Sequence, residues 1–176
     1  FGAARQDAAS NRGFPTGSQP ELYRVPVEGG RVHQVLTTPA EAVQVGGDGA
    51  FLLYHDKKGG ENEWRKHHTS AITRDIWIYD VAREIRSRFT FDPGNDGNAI
   101  WSPDGSQIAF TSTRSGTGQL YVKNVGGATN EELLIQTEGA SWPTDWSADG
   151  RYIVFFMNDS TNTGNIWALP MFDDRK

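Results

Sequence analysis

Apolar residues in this chain come in short bursts separated by polar, Gly-rich stretches. Examples are Phe51-Leu52-Leu53-Tyr54, Ile76-Trp77-Ile78-Tyr79, Ile108-Ala109-Phe110, Leu120-Tyr121-Val122 and Ile166-Trp167-Ala168-Leu169. The longest, Tyr152 to Met157, is strand-sized. The bursts are rich in β-branched and aromatic residues, and no apolar spacing of i, i+3, i+4, i+7 is sustained. The pattern predicts many short β-strands, with at most one helical turn over residues 62–70.

The bursts repeat in a fixed order. Three Asp-Gly pairs, Asp48-Gly49, Asp104-Gly105 and Asp149-Gly150, each precede an apolar strand. Gly accepts positive φ and Asp tolerates it, which suits a tight hairpin. Two of the pairs close the segments Trp101-Ser102-Pro103-Asp104-Gly105 and Trp146-Ser147-Ala148-Asp149-Gly150; the third, Val45-Gly46-Gly47-Asp48-Gly49, is degenerate. A second anchor is an apolar-aromatic strand centred on Tyr23, Trp77, Tyr121 and Trp167. A third anchor follows about a dozen residues later at Val35-Leu36-Thr37, Arg88-Phe89-Thr90 and Leu133-Leu134-Ile135. Four short strands in roughly 40–45 residues is the signature of a β-propeller blade.

The fold expected is therefore all-β, a single propeller domain of four-stranded antiparallel blades near residues 1–40, 41–97, 98–139 and 140–176. By distance to the next aromatic strand, Phe1 corresponds to Tyr54, so the first unit lacks its opening strand and turn. The last unit ends at Lys176, before its fourth strand. The count is three, four, four and three strands, about three and a half blades and an incomplete ring. Propeller blades bury their faces on neighbours. The expected partners thus include further blades from a longer parent chain or from another copy, with closure on itself a third option.

The motif Trp-Ser-x-Asp-Gly, an apolar strand, a polar loop and then an aliphatic-aromatic strand resembles the TolB-like propeller repeat, most strongly over Ile100 to Asp173. Residues 17–26 and 58–77 resemble the N-terminal propeller of tricorn-protease homologues. Residues 91–98 are more similar to TolB-type propellers attached to bacterial receptor-like kinases. The change of resemblance predicts a mosaic, natural or engineered, with a seam near residues 81–89. In tricorn-like proteases the catalytic residues lie in later domains, so the resemblance supplies no catalytic residue here. It implies an extracytoplasmic bacterial, often periplasmic, setting.

Composition narrows the function. The chain has 176 residues, with 17 Lys+Arg against 22 Asp+Glu, a net charge of −5. No basic cluster is present, which argues against nucleic acid as a partner. Disulfides, zinc ribbons and thiol nucleophiles are excluded because the chain has no cysteine, a lack compatible with cytosol as well as with an extracytoplasmic site. No apolar run approaches the roughly 18–20 residues of a membrane helix, so no membrane insertion is expected.

The most unusual segment is the loop from Gly59 to Arg74, about ten residues longer than its counterparts. Long loops on a regular scaffold often carry function. Its candidate interaction residues are Trp64, Arg65, His67, His68 and Arg74. Metal binding by His67, His68 and a Glu lacks a third ligand at a diagnostic spacing. A Ser70-His-Asp75 triad lacks a nucleophile elbow. Neither reading is adopted, and no metal or cofactor is expected. Four of the six tryptophans, Trp77, Trp101, Trp146 and Trp167, fall on repeat anchors and are expected between blades. Trp142 lies off the pattern and joins the candidate binding residues. Asp92, Asn95, Asp96 and Asn98 form an oxygen-rich segment that turn chemistry explains without a cation.

These readings converge on a non-catalytic module that binds a protein or peptide. The resemblance makes it a candidate substrate-gating propeller of a tricorn-like serine peptidase. The alternatives are a sensor or scaffold propeller on a signalling protein, and an engineered or mosaic propeller that assembles by oligomerisation.

Overall fold

The computed structural model describes residues 2–4, 20–36, 38, 40–56, 74–126, 130–158, 161 and 163–172. Among them are fourteen strands in four antiparallel sheets. The first sheet holds β1 (Gly2–Ala4), β2 (Pro20–Arg24) and β3 (His33–Leu36). The second holds β4 (Ala40–Gly46), β5 (Phe51–Asp56), β6 (Ile76–Asp80) and β7 (Ile85–Arg88). The third holds β8 (Asp96–Trp101), β9 (Gln107–Ser112), β10 (Gln119–Asn124) and β11 (Glu132–Ile135). The fourth holds β12 (Ser141–Trp146), β13 (Tyr152–Asn158) and β14 (Gly164–Pro170). Each sheet is an up-and-down meander, and the expected pattern of three, four, four and three strands is present. The helical turn expected near residues 62–70 lies outside the described residues.

The sheets stack one on the next because their middle strands are apolar on both faces. Successive side chains point to opposite faces. In β5, Leu52 and Tyr54 face the first sheet, where they and their sheet neighbours Ala40 and Tyr79 pack with Leu22 and Leu36. Leu53, between them, faces the third sheet and packs with Ile76, Phe89, Ala99, Ile108, Phe110 and Tyr121. In β9 and β10, Ala109, Leu120 and Val122 turn the other way. They join Ile100 against Trp146, Ile153, Phe155 and Leu169 of the fourth sheet. Leu53, Ile76, Ile108, Phe110, Leu120 and Ile153 are fully buried, and each such side chain stabilises the stack by about 1.5–3 kcal/mol. The described sheets form an open fan of propeller blades, with β4, β8 and β12 side by side along the inner edge.

Three of the four anchor tryptophans lie between sheets as expected. Trp146 is buried, and Trp77 and Trp101 are half-buried against the cores. The Trp101 ring lies over the end of β4, where a side chain on Gly46 would stand 2.6 Å from it. Trp167 departs from the expectation and is 49% exposed. It sits on β14, which pairs with β13 on one side and forms the edge of its sheet.

At one end of the fan, the Trp-Ser-x-Asp-Gly segments build self-contained turns. Asp104 Oδ1 accepts hydrogen bonds from Ser102 Oγ (2.6 Å), the Ser106 amide (3.0 Å) and Ser106 Oγ (2.8 Å). Ser102 Oγ in turn accepts the Gln107 amide at 2.9 Å. Asp149, Ser147, Arg151 and Tyr152 repeat the arrangement at 2.7, 3.0 and 2.9 Å. Gly105 and Gly150 take φ of 70° and 73°, where a Cβ would be strained. Of the three turn aspartates only Asp48 has positive φ, inside a short 3-10 turn. Asp104 and Asp149 serve instead as acceptors.

Candidate functional site

The opposite end of the fan carries the connections between sheets and the facing ends of β5 and β6. Here polar side chains from several elements converge. Glu41 of β4 and His55 of β5 are cross-strand partners, with His55 Nε2 3.5 Å from the Glu41 carboxylate. His55 Nδ1 accepts the backbone amide of Asn98, in the third sheet, at 3.2 Å. That pattern fixes a neutral imidazole with its proton on Nε2. His55 is buried. Burial pushes its pKa below the ordinary imidazole range, the nearby Arg74 cation adds to this, and Glu41 opposes it.

Arg74 is half exposed and lies 3.7 Å from Glu41. Its backbone is tied to the third sheet in both directions. The Arg74 amide donates to Asn95 Oδ1 at 3.0 Å, and the Arg74 carbonyl accepts the Asp96 amide at 2.8 Å. The returning end of the long loop is thus clamped between two sheets. The inner strands are irregular here as well. Register breaks fall between Glu41 and Gln44, between Gly97 and Ile100, and between Pro143 and Asp145. Ala42 and Asn98 take φ of 49° and 50°. Bulges of this kind re-aim strand residues, and positive φ at a non-Gly residue costs roughly 1–3 kcal/mol, a strain found often at functional sites.

Two buried carboxylates flank this cluster. Asp75 accepts from Arg88 at 2.7 Å. Asp96, fully buried, lies 3.4 Å from Arg114. Burial pushes the Asp96 pKa up, opposed by hydrogen bonds from Ser112 and Thr90 and by Arg114. The oxygen-rich segment divides its labour. Asp92 Oδ1 accepts the Gly94 amide, Asn95 holds Arg74, Asp96 pairs with Arg114, and Asn98 forms the bulge.

Of the residues singled out in the sequence, Trp64, Arg65, His67 and His68 lie outside the described residues, as does Ser70. Arg74 lies in the cluster above. Trp142, at the start of β12, packs at a tilt against Phe156, with ring centroids 5.7 Å apart and planes 34° from parallel. Both stand at this end of their sheets but keep separate company, Arg74 with Glu41 and Trp142 with Phe156. The sequence reading missed His55 and Glu41. Their signal was weak: a histidine between Tyr54 and Asp56 gains meaning only from the β4–β5 register. Both His55 nitrogens are engaged, and among the described residues no group of three metal-ligating side chains converges.

Fold and site together define an open β-propeller with a polar, loop-bearing end. The TolB beta propeller domain model matches residues 67–169, and the chain belongs to that family. It is 35% identical over 85 residues to the uncharacterized peptidase YuxL of Bacillus subtilis (strain 168), a match covering 48% of this chain and 13% of that protein. It is 33% identical over 67 residues to the Tol-Pal system protein TolB of Helicobacter pylori (strain ATCC 700392 / 26695), covering 38% of this chain and 16% of that protein. The matches thus span a small part of both curated relatives. The putative TolB from Agrobacterium tumefaciens shares the fold at a TM-score of 0.71 and 21% identity, over 90% of this chain and 55% of that one. Tricorn protease shares it at a TM-score of 0.54 and 17% identity, over 93% of this chain and 16% of that one. The family match runs across residues 81–89. Among the described residues no helix is long and apolar enough to cross a membrane.

Proposed function

We propose that this chain is a non-catalytic propeller module that binds a protein or peptide at its loop-bearing end. The observation that carries this reading is the convergence of Glu41, His55, Arg74 and the two strained bulges at the inner strands. His55 and Glu41 hold the frame, while Arg74 and Trp142 offer a cation and an aromatic surface to a partner. The finer reading is a substrate-gating propeller of a serine peptidase, supported by the likeness to YuxL and to tricorn protease. A sensor or scaffold propeller is the second reading, supported by the TolB likeness. An extracytoplasmic location accompanies that second reading.

The binding reading is tested by titrating the chain with a library of unstructured peptides and following tryptophan fluorescence. Arg74→Ala and Trp142→Ala are each expected to weaken binding several-fold. Binding that survives both changes moves the site elsewhere. The finer readings separate in the parent gene. A serine-peptidase domain encoded downstream favours gating, and a kinase domain encoded upstream favours the sensor.

A further inference from the structure

Away from the inner edge, an open depression of about 330 Å³ lies over the outer strands of the third sheet. It is bordered by Phe91 and Asp92, in the crossing from β7 to β8, and by Arg114, Lys123, Asn130 and Glu131. We propose that this depression receives a basic side chain, lysine or arginine, of an extended peptide partner.

Three observations support the assignment. First, the rings here present their faces to cations. Arg88 stands 5.0 Å and Lys123 5.7 Å from the Phe91 centroid, Lys123 stands 4.9 Å from Phe89, and Arg114 stands 4.5 Å from Tyr121. Yet Phe91 remains 66% exposed, so much of its ring is open to a further cation. Second, an acceptor stands beside that ring. Asp92 Oδ1 takes the Gly94 amide at 2.8 Å, while Asp92 Oδ2 lies 4.0 Å from Arg114, too far for a hydrogen bond. Third, the resident cations are already matched. Lys123 meets Glu131 at 3.2 Å and the Phe89 carbonyl at 2.8 Å, and Arg114 hydrogen-bonds Glu131. An incoming anion would have to displace Glu131 while facing Asp92. An incoming cation leaves the Glu131 pairs intact and meets the Asp92 carboxylate, which must outweigh Arg114 and Lys123 at the rim, and the chain's net charge of −5 draws it in.

The test uses the full chain, ¹⁵N-labelled, titrated with acetyl-Gly-Arg-Gly-amide and, separately, acetyl-Gly-Glu-Gly-amide. The arginine peptide is expected to shift the amides of residues 89–92, 123 and 131 saturably, and the glutamate peptide is not. Phe91→Ala and Asp92→Asn should each weaken the arginine peptide about threefold. Asn at position 92 keeps an oxygen for the Gly94 amide, so the turn survives that change, and unchanged circular dichroism checks both folds. Three results would overturn the site: equal shifts from both peptides, unsaturable shifts scattered over acidic residues elsewhere, or wild-type binding by both variants. Silence with the arginine peptide overturns it as well. The readout at residues 89–92 keeps this site distinct from the one proposed around Arg74 and Trp142.

Discussion

The two ends of the fan solve the same problem, closing β-strands, by opposite means. At the turn end the Asp-Gly motifs close on partners within five residues, as Ser102, Asp104, Ser106 and the Gln107 amide do. At the loop end the partners come from distant positions. His55 meets Asn98, Arg74 meets Glu41 and Asn95, and Asp96 meets Arg114. Local closure is robust and repeats from sheet to sheet. Distant closure holds charge in buried positions, which makes that end sensitive to pH and mutation.

This contrast can be broken most forcefully at Arg114. Arg114→Met leaves the Asp96 carboxylate buried without its cation, and breaking such a pair costs about 3–5 kcal/mol. Urea unfolding should show that loss, and adding Asp96→Asn should recover much of it. A loss below about 1 kcal/mol would mean that Asp96 is not held by charge.

The next largest effect is on pH dependence. The folded-state pKa of His55 is lowered from an ordinary 6.5. Its contribution is therefore fully present above that value and is lost as pH falls toward the depressed folded pKa. Asp104 at the turn end is held down to about 2 from 3.8. Its contribution is complete above the higher value and fades only as pH falls through the lower one. The urea midpoint should thus drop between pH 7.5 and pH 5.5, and His55→Gln should abolish that pH dependence while lowering stability by about 1–3 kcal/mol through the Asn98 amide. A midpoint flat across this range in the parent protein would remove His55 from the account.

The smallest effects belong to the turn end. Ser102→Ala removes one acceptor and one donor in a local network and should cost about 1 kcal/mol. Gly105→Ala forces a side chain to φ of 70° and should cost a similar amount, about 1–2 kcal/mol. Both are readable as midpoint shifts. If either exceeds the Arg114→Met loss, the ranking of the two ends is reversed.

The same contrast explains what could be read in advance. The Trp-Ser-x-Asp-Gly turns were legible because their hydrogen bonds close within the motif, although the role of Asp104 and Asp149 as acceptors rather than positive-φ residues needed coordinates. Arg74 was legible as a charged residue ending an over-long loop. His55 and Glu41 were not, since nothing marks positions 41 and 55 as neighbours until the strand register is known. Trp167 misled for a related reason. Its repeat position predicted burial, but burial of a blade residue depends on what packs against its sheet.

The sequence by itself determined the strands, their order and the tight turns. Alternation of apolar residues and Asp-Gly chemistry act over a few positions, and the β-branched and aromatic content left no helical competitor. Only the tertiary structure decided which charges are buried and which strand ends meet. Those facts arise from stacking one sheet on the next, which sets Leu53 against Ile108 and, at the rim of the same contact, His55 against the amide of Asn98. Hydrophobic burial drives that stacking without regard to direction, and the register of each strand then fixes which polar groups must find one another.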